Sequence, residues 1–312
     1  MKLIVTIPAY NEEKTIAAVI KEIPRQLTGI DAVQVLVIDD GSRDQTVAVA
    51  KGAGADFVIS NNENKGLAYT FRRALEEALA READVIVNTD ADNHYDQSRL
   101  AELIKPILDK QADIVIGSRE VKKLAAMPAS NKYGNLFGSW LVCKLANLPR
   151  VDVSSGFRAY SREAALKLNV FSLYTYTHET LIQARERQLK IIEVPIKARP
   201  VRRPSRLIRN IPFHVTRSVS VILRVLTLYN FLRMLLVSGL VLFVVGLIPL
   251  IRFFYFFVVG QSEGHIQSLV VGTMIVLIGF ITVVMALLVS AIDWNRKLIE
   301  DTLYRLKKIE KQ

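Results

Sequence analysis

The chain has 312 residues, 51% of them hydrophobic, with a mean hydropathy of +0.25 and a formal net charge of +11 at pH 7. Its single cysteine, Cys143, excludes an internal disulfide framework and fits a reducing compartment. The apolar excess lies mainly between Met234 and Ile292, with basic residues clustered beside it, so the charge points to membrane and phosphorylated ligands rather than nucleic acid.

The stretch before Pro200 is long enough for one α/β domain with its own core. It opens on strand-like Leu3–Ile7 with no signal-peptide pattern, so this domain is expected in the cytoplasm. Lys2–Ala9 reads as a buried strand, followed by the loop Pro8-Ala9-Tyr10-Asn11-Glu12-Glu13 and a helix over Thr15–Ile23 that Pro24 ends. Val33–Ile38 is a second strand. The turn after it, Asp39 to Thr46, offers Ser42 or Asp44 as cap for a helix running to about Lys51. Phe57–Ser60 is a third strand, and Asn64-Lys65-Gly66 opens a long helix through Glu82. Ala83–Val87 is a fourth strand, Ser98–Asp109 a helix and Ile114–Gly117 a fifth strand. The alternation predicts a doubly wound, mostly parallel sheet.

Polar clusters follow three of these strands: Tyr10/Glu12, Asp39/Asp40 and Asp90/Asp92. Ligands of open α/β sheets bind outside the carboxyl ends of the strands. Asp90 and Asp92 share a face if strand geometry persists past Val87. Hard divalent cations take one or two carboxylates plus substrate phosphates, so this pair is a candidate metal–diphosphate clamp. Neither G-x-G-x-x-G after the first strand nor a Walker A sequence occurs, which argues against dinucleotide oxidoreductases and P-loop NTPases.

Ile7-Pro8-Ala9-Tyr10-Asn11-Glu12, Asp39-Asp40-Gly41-Ser42-Arg43-Asp44, Asn64-Lys65-Gly66, Asp90-Ala91-Asp92 and Gly117-Ser118-Arg119 resemble, in order and spacing, the motifs of family 2 glycosyltransferases with the GT-A fold. Ser155-Gly156-Phe157-Arg158 is similar to the subgroup that glycosylates polyprenyl phosphates, the dolichol-phosphate mannose synthases among them. The resemblance implies that Pro8, Tyr10, Glu12, Asp39, Lys65, Gly66, Asp90, Ala91 and Asp92 hold a nucleotide-sugar. It implies Mg²⁺ or Mn²⁺ on Asp90 and Asp92, and catalytic roles for these two and Arg119. His94 stands where relatives often carry a metal-ligating Gln; it is either a third ligand or a helix-entry residue bonded to its loop.

On the acceptor side, Arg119, Lys132, Ser155, Arg158, Arg202, Ser205 and Arg206 are expected around a lipid phosphate, arginine forks matching phosphate oxygens bidentately. Arg202-Arg203-Pro204-Ser205-Arg206-Leu207 resembles the family's R-x-x-S-K-L segment, and Thr175 replaces a lysine some relatives use. Ser130–Ala146 reads as a helix with Trp140 as packing, and Thr177–Gln188 as another, bearing the family carboxylate Glu179. Ile208–Arg233 reads as a basic interfacial helix, and Leu235–Val259 and Leu269–Ile292 as membrane spans. Arg252 interrupts the first span. The loop Gly260–Gln267 has no Lys or Arg while both outer flanks are basic, which puts those flanks and the catalytic domain in the cytoplasm.

The predicted domains are 1–205 catalytic, 206–233 interfacial, 234–292 a transmembrane hairpin and 293–312 an amphipathic tail. The expected function is inverting, metal-dependent transfer of one hexose from GDP-mannose or a UDP-hexose to a dolichyl or undecaprenyl phosphate, by a protein of a prokaryotic membrane that self-associates through its spans. Transfer to another lipid hydroxyl, or a non-catalytic scaffold with a vestigial nucleotide site, are the alternatives. A processive polysaccharide synthase is excluded by the missing Q-x-x-R-W motif, since Trp occurs only at 140 and 294.

Overall fold

In the computed structural model, which describes residues 1–119, 140, 143–144, 148–170, 176–196, 199, 231–260 and 264–310, strand β1 (Lys2–Ala9) is an interior strand of a seven-stranded sheet. β1 is buried on both faces from Leu3 on, as an uninterrupted apolar run requires. It pairs in parallel with β2 (Ala32–Asp39) on one side and β4 (Val85–Asn88) on the other. Between β1 and β2 runs α1 (Ile16–Glu22); α2 (Thr46–Gly52) then leads to β3 (Phe57–Ser60), and α3 (Leu67–Ala80) leads to β4. A short 3₁₀ turn and α4 (Leu100–Leu108) precede β5 (Ile114–Ser118). The strand order is β3-β2-β1-β4-β6-β5-β7.

β6 (Arg158–Ser161), α5 (Arg162–Lys167) and β7 (Ile191–Pro195) were not predicted from the sequence pattern. β6 is inserted antiparallel between β4 and β5, and β7 extends the sheet in parallel beyond β5. Both are short, and a buried arginine in one and a Glu-Val-Pro ending in the other hide the apolar signal. α6 (Thr177–Glu186) stands where a helix is expected.

Side chains alternate between two cores. Leu3, Val5 and Ile7 join Val35, Val37, Val85 and Val87 beneath α1 and α4, while Ile4, Leu36, Ile38 and Ile86 join Phe71, Ala74 and Ala78 of α3. Each such fully buried Leu, Ile or Phe contributes about 1.5–3 kcal/mol relative to an exposed one. Phe71 stacks on Tyr176 with centroids 3.8 Å apart, joining α3 to the start of α6.

The chain divides into two compact units, Met1–Ser218 with Leu303–Gln312, and Val219–Thr302. In the first, Tyr304 donates to Glu163 (2.7 Å) and Lys307 to Asn169 Oδ1 (2.8 Å), so the final turns pack on α5. The second contains most of two long helices, α7 (Phe231–Val258) and α8 (Ile266–Glu310), both long and apolar enough to cross a membrane. The amphipathic tail continues the second apolar helix without a break as far as Glu310.

Glycines seven residues apart let these helices meet. A Cβ at Gly279 would lie 2.6 Å from Phe243 N, and one at Gly246 would lie 2.7 Å from Val276 N. Close backbone approach through small residues is how helices pack where water gives no driving force. Thr273 and Thr282 return their hydroxyls to the carbonyls one turn back, so neither presents an unmet donor. Arg252 lies over the Phe256 ring at 6.0 Å, and Phe256 stacks on His265 (4.0 Å) at the hairpin tip.

Candidate active site

The loops after β1 and β2 are stitched together by backbone amides. Asn11 N–H donates to Ser42 Oγ (2.9 Å), Glu12 N–H to Thr46 Oγ1 (2.8 Å) and Arg43 N–H to Asn11 Oδ1 (2.8 Å). Asn11 adopts a left-handed conformation (φ 54°), which asparagine tolerates better than most residues. Asp44 Oδ1 accepts from Thr46 N–H (3.0 Å) just ahead of α2, but the N-cap position is Gln45 and carries no side-chain cap, so neither Ser42 nor Asp44 is the capping residue expected. Beside the clasp opens a cleft of about 440 Å³ lined by Tyr10, Asp39, Gly41, Ser42, Asn61 and Glu63, among others. Tyr10 is exposed at its mouth, and Asp39 is buried with its carboxylate accepting from Ser42 N–H. Glu12 accepts from the Thr15 hydroxyl (2.8 Å), and Pro8 sits within β1.

Asp40, the neighbour of Asp39, acts as a latch. Its carboxylate accepts from Asn61 Nδ2 (2.8 Å), Lys65 N–H (2.9 Å) and Gly66 N–H (2.9 Å). The Lys65 and Gly66 amides are therefore occupied within the protein, and the Lys65 ammonium rests 5.0 Å over the Tyr69 ring. Their amides fold this loop onto Asp40, which leaves the Lys65 side chain as the part able to meet a ligand. Gly41 (φ 73°) is obligatory, since a Cβ there would meet the Glu63 carbonyl carbon at 2.8 Å.

Strand geometry does not persist to Asp92. β4 ends at Asn88, and a turn through left-handed Asn93 (φ 59°) follows, so a turn rather than strand alternation brings the two carboxylates near each other. Asn88 is fully buried and donates to Gly156 O (3.0 Å) and Tyr176 Oη (2.9 Å). Thr89 donates its amide to Thr6 O (3.0 Å) and accepts from Gln97 Nε2 (2.8 Å). Asp90 rests against Gly156, where a Cβ would fall 2.7 and 2.8 Å from its two oxygens. Desolvation, then the charge of Asp92, hold the Asp90 carboxyl well above the usual carboxylate range against the pull of Arg119 and Arg158. Tyr95 accepts from Gly156 N–H (3.0 Å), and burial, then the Asp90 charge, push its phenol up to about 12.

His94 donates its amide to Asp92 Oδ1 (3.1 Å), and among the described residues its buried Nδ1 has no hydrogen-bond partner. Desolvation lowers its pKa and favours the neutral, ligating form. Among the described residues, no three His, Cys, Asp or Glu side chains converge into a preformed metal cage. Two neighbouring carboxylates and an orphaned imidazole nitrogen nevertheless fit a hard cation completed by a diphosphate. Ala91 is buried between the acids.

Arg119 reaches Asp152 with a two-pronged ion pair (Nε–Oδ2 2.8 Å, Nη2–Oδ1 3.0 Å) and also donates to Ser154. Two expected acceptor ligands are corrected. Arg158 is fully buried and directs its guanidinium to Ser155 O (2.8 Å), Thr177 O (2.7 Å), Thr180 Oγ1 (3.0 Å) and Val153 O (2.9 Å). The guanidinium satisfies buried carbonyls on both sides of it, so Arg158 is a pin for the 153–156 loop rather than a phosphate fork. Ser155 is also fully buried, its hydroxyl donating to Gly117 O (2.6 Å). Lys132, Thr175, Arg202, Ser205 and Arg206 lie outside the described residues. Sequence reasoning missed the site roles of Asn88, Tyr95, Gly156 and Asp152; only Gly156, inside the Ser-Gly-Phe-Arg motif, carried a signal.

The sheet order, the acid-bearing turn beyond β4 and the clasped cleft beyond β2 define a nucleotide-sugar transferase scaffold of the GT-A type. The sequence pattern of "Glycosyl transferase family 2" matches residues 4–168, and the chain belongs to that family. It is 33% identical over 213 residues to a UDP-N-acetylglucosamine–dolichyl-phosphate N-acetylglucosaminyltransferase of Methanococcus voltae, covering 61% of this chain and 83% of that one. It is 33% identical over 198 residues to a dolichyl-phosphate hexose transferase of Haloferax volcanii, covering 63% and 82%. Among solved structures it is similar to glucosyl-3-phosphoglycerate synthase from Mycobacterium tuberculosis in complex with Mn²⁺, UDP-glucose and phosphoglyceric acid, with a TM-score of 0.54, 25% identity and coverage of 72% and 79%.

Proposed function

We propose that the chain transfers one sugar from a nucleoside-diphosphate sugar to a polyprenyl phosphate at the cytoplasmic face of a membrane. The observation that carries this reading is the Asp90–Asp92 turn, beside the Asp39 cleft, in a chain that also bears two apolar helices of spanning length. The names of the two relatives support a polyprenyl phosphate acceptor. Tyr10 and Asp39 line the cleft and are suited to a base and ribose, with Glu12 nearby on the clasped loop.

Asp92 and Asp90 would hold Mg²⁺ or Mn²⁺ together with the donor diphosphate, with His94 as a third donor. Bound there, the cation supplies positive charge against the leaving diphosphate. Asp90 is poised for this, because a carboxyl destabilised as an anion by burial and by Asp92 gains most from a positive neighbour. An acceptor phosphate oxygen attacks the anomeric carbon as its bond to the diphosphate oxygen breaks, with inversion. The phosphate is anionic near neutral pH, so no protein base is required. Arg119, held by Asp152, is a fixed positive charge near Asp90. Both apolar helices keep the lipid tail in the bilayer, with the basic outer flanks on the cytoplasmic side.

The test is turnover of full-length protein in lipid vesicles. Labelled UDP-glucose, UDP-N-acetylglucosamine and GDP-mannose are offered with undecaprenyl phosphate, dolichyl phosphate or diacylglycerol. Metal-dependent labelling of a polyprenyl phosphate, abolished by EDTA, is expected. Labelling of diacylglycerol alone would sink the proposal.

A further inference from the structure

Arg199 follows β7 and is the described residue closest in sequence to the Arg202–Arg206 segment. It touches four consecutive residues behind Asp92. Its amide donates to His94 O (2.8 Å), and its Nη1 donates to Asn93 Oδ1 (2.6 Å) and Tyr95 O (3.4 Å). Its Nη2 lies 3.6 Å from the Asp96 carboxylate. The other side of the same fork meets Glu22 at the end of α1, through Nη1–Oε2 (2.8 Å) and a second contact from Nη2 to Oε1. Glu22 also accepts from Gln97 N–H (3.4 Å), so the pair grips the whole stretch 93–97.

This stretch needs holding. Asn93 is left-handed (φ 59°), a conformation that asparagine tolerates but that a free loop would exchange with others, so its contact with Arg199 helps to select it. The Asp92 carboxylate depends on the same turn, because His94 N–H donates to Asp92 Oδ1 (3.1 Å). Rotation of Asn93 or His94 would release that bond and let the carboxylate swing. The Arg199 side chain is 37% exposed, as a loop fastener at a cleft rim should be, and not a core residue on which folding depends.

We infer that Arg199 is a positioning residue for Asp92, holding turn 93–96 so that the carboxylate keeps its bearing toward the donor diphosphate. The hold comes from Arg199, just beyond β7, more than a hundred residues from Asp92 in the chain. The inference rests on the proposed metal–diphosphate role of Asp92. Glu22 is the second half of the device, and it acts only through Arg199.

The test uses full-length protein in nanodiscs, with Mn²⁺ followed by electron paramagnetic resonance in the presence of UDP and, separately, GDP. Asp92→Ala is the control and is expected to lose nucleotide-dependent Mn²⁺ binding. Arg199→Gln is expected to weaken that binding by about tenfold, the size typical when an outer-shell partner of a metal ligand is lost. Glu22→Gln should give part of this loss, and the double variant no more than Arg199→Gln alone. Arg199→Lys should recover part of the affinity. In turnover, the metal KM of Arg199→Gln should rise while kcat at saturating Mn²⁺ stays within about twofold of wild type, as expected for lost ligand positioning.

Wild-type Mn²⁺ affinity in Arg199→Gln overturns the inference. So does a loss of melting temperature and kcat together without a metal KM change. If wild type shows no Asp92-dependent Mn²⁺ binding with either nucleotide, the proposed function itself falls.

Discussion

Gly156→Ala probes the contact on which the acidic turn rests. The added Cβ would lie 2.7 and 2.8 Å from the Asp90 oxygens and 3.1 Å from its Cγ. Ordinary carbon–oxygen contact needs roughly half an ångström more. The glycine backbone cannot retreat freely, because Tyr95 Oη holds its N–H (3.0 Å) and Asn88 Nδ2 its carbonyl (3.0 Å). The softer partner is the Asp90 side chain, so relief comes by turning the carboxylate away. Overpacking of this kind is worth about 1–3 kcal/mol. If it falls on the Asp90 geometry used in the transition state, turnover drops about 5- to 150-fold. The assay pairs kcat/KM in vesicles with a thermal melt. Activity should fall by that amount while the melting temperature moves little. Wild-type kcat/KM with unchanged metal dependence would refute the reasoning that Asp90 needs this exact seat.

Burial and then the Arg158 charge push His178 down to about 4, so the folded state binds fewer protons than the unfolded state between there and 6.5. Stability is therefore full above 6.5 and is lost as pH falls toward 4, by about 2 kcal/mol at pH 5; His178→Gln should flatten this loss in pH-dependent denaturation, and equal slopes would contradict it. Arg158→Met takes the guanidinium donors from the carbonyls of Val153 and Ser155 and one of the donors from Thr177 O. It should destabilise the catalytic domain by about 3 kcal/mol or more, read as a lower melting temperature; a stable variant with only weakened acceptor binding would restore the phosphate role. Gly279→Leu places a side chain where Phe243 N would lie 2.6 Å from its Cβ. It should splay the two apolar helices and lower the melting temperature of the detergent-solubilised protein; an unchanged melting temperature would contradict the packing.

The parallel half of the sheet was legible because β1, β2 and β4 are largely buried on both faces and write themselves as mostly apolar runs. The apolar helices were legible for a similar reason, through length and composition. β6 was not, because its first residue is an arginine whose burial depends on four partners scattered over residues 153–180. Charge on a page suggests a solvent- or ligand-facing group, and nothing local in the sequence says that Arg158 has carbonyls waiting for it. The same blindness hid the backbone amides of Lys65 and Gly66, whose bonds to Asp40 no side-chain pattern announces. Asp90 and Asp92 were found as a pair, but their geometry comes from a left-handed Asn93 and from Arg199, more than a hundred residues away in the chain.

The central claim is tested most directly by mass spectrometry of the lipid product. Full-length protein, polyprenyl phosphate and the donor that turns over are incubated with Mn²⁺, and the lipid and released nucleotide are weighed together. The account predicts one sugar on the polyprenyl phosphate for each nucleoside diphosphate released, and no product from Asp92→Ala. Released diphosphate without a sugar-bearing polyprenyl phosphate, or product from Asp92→Ala at the wild-type rate, would contradict it.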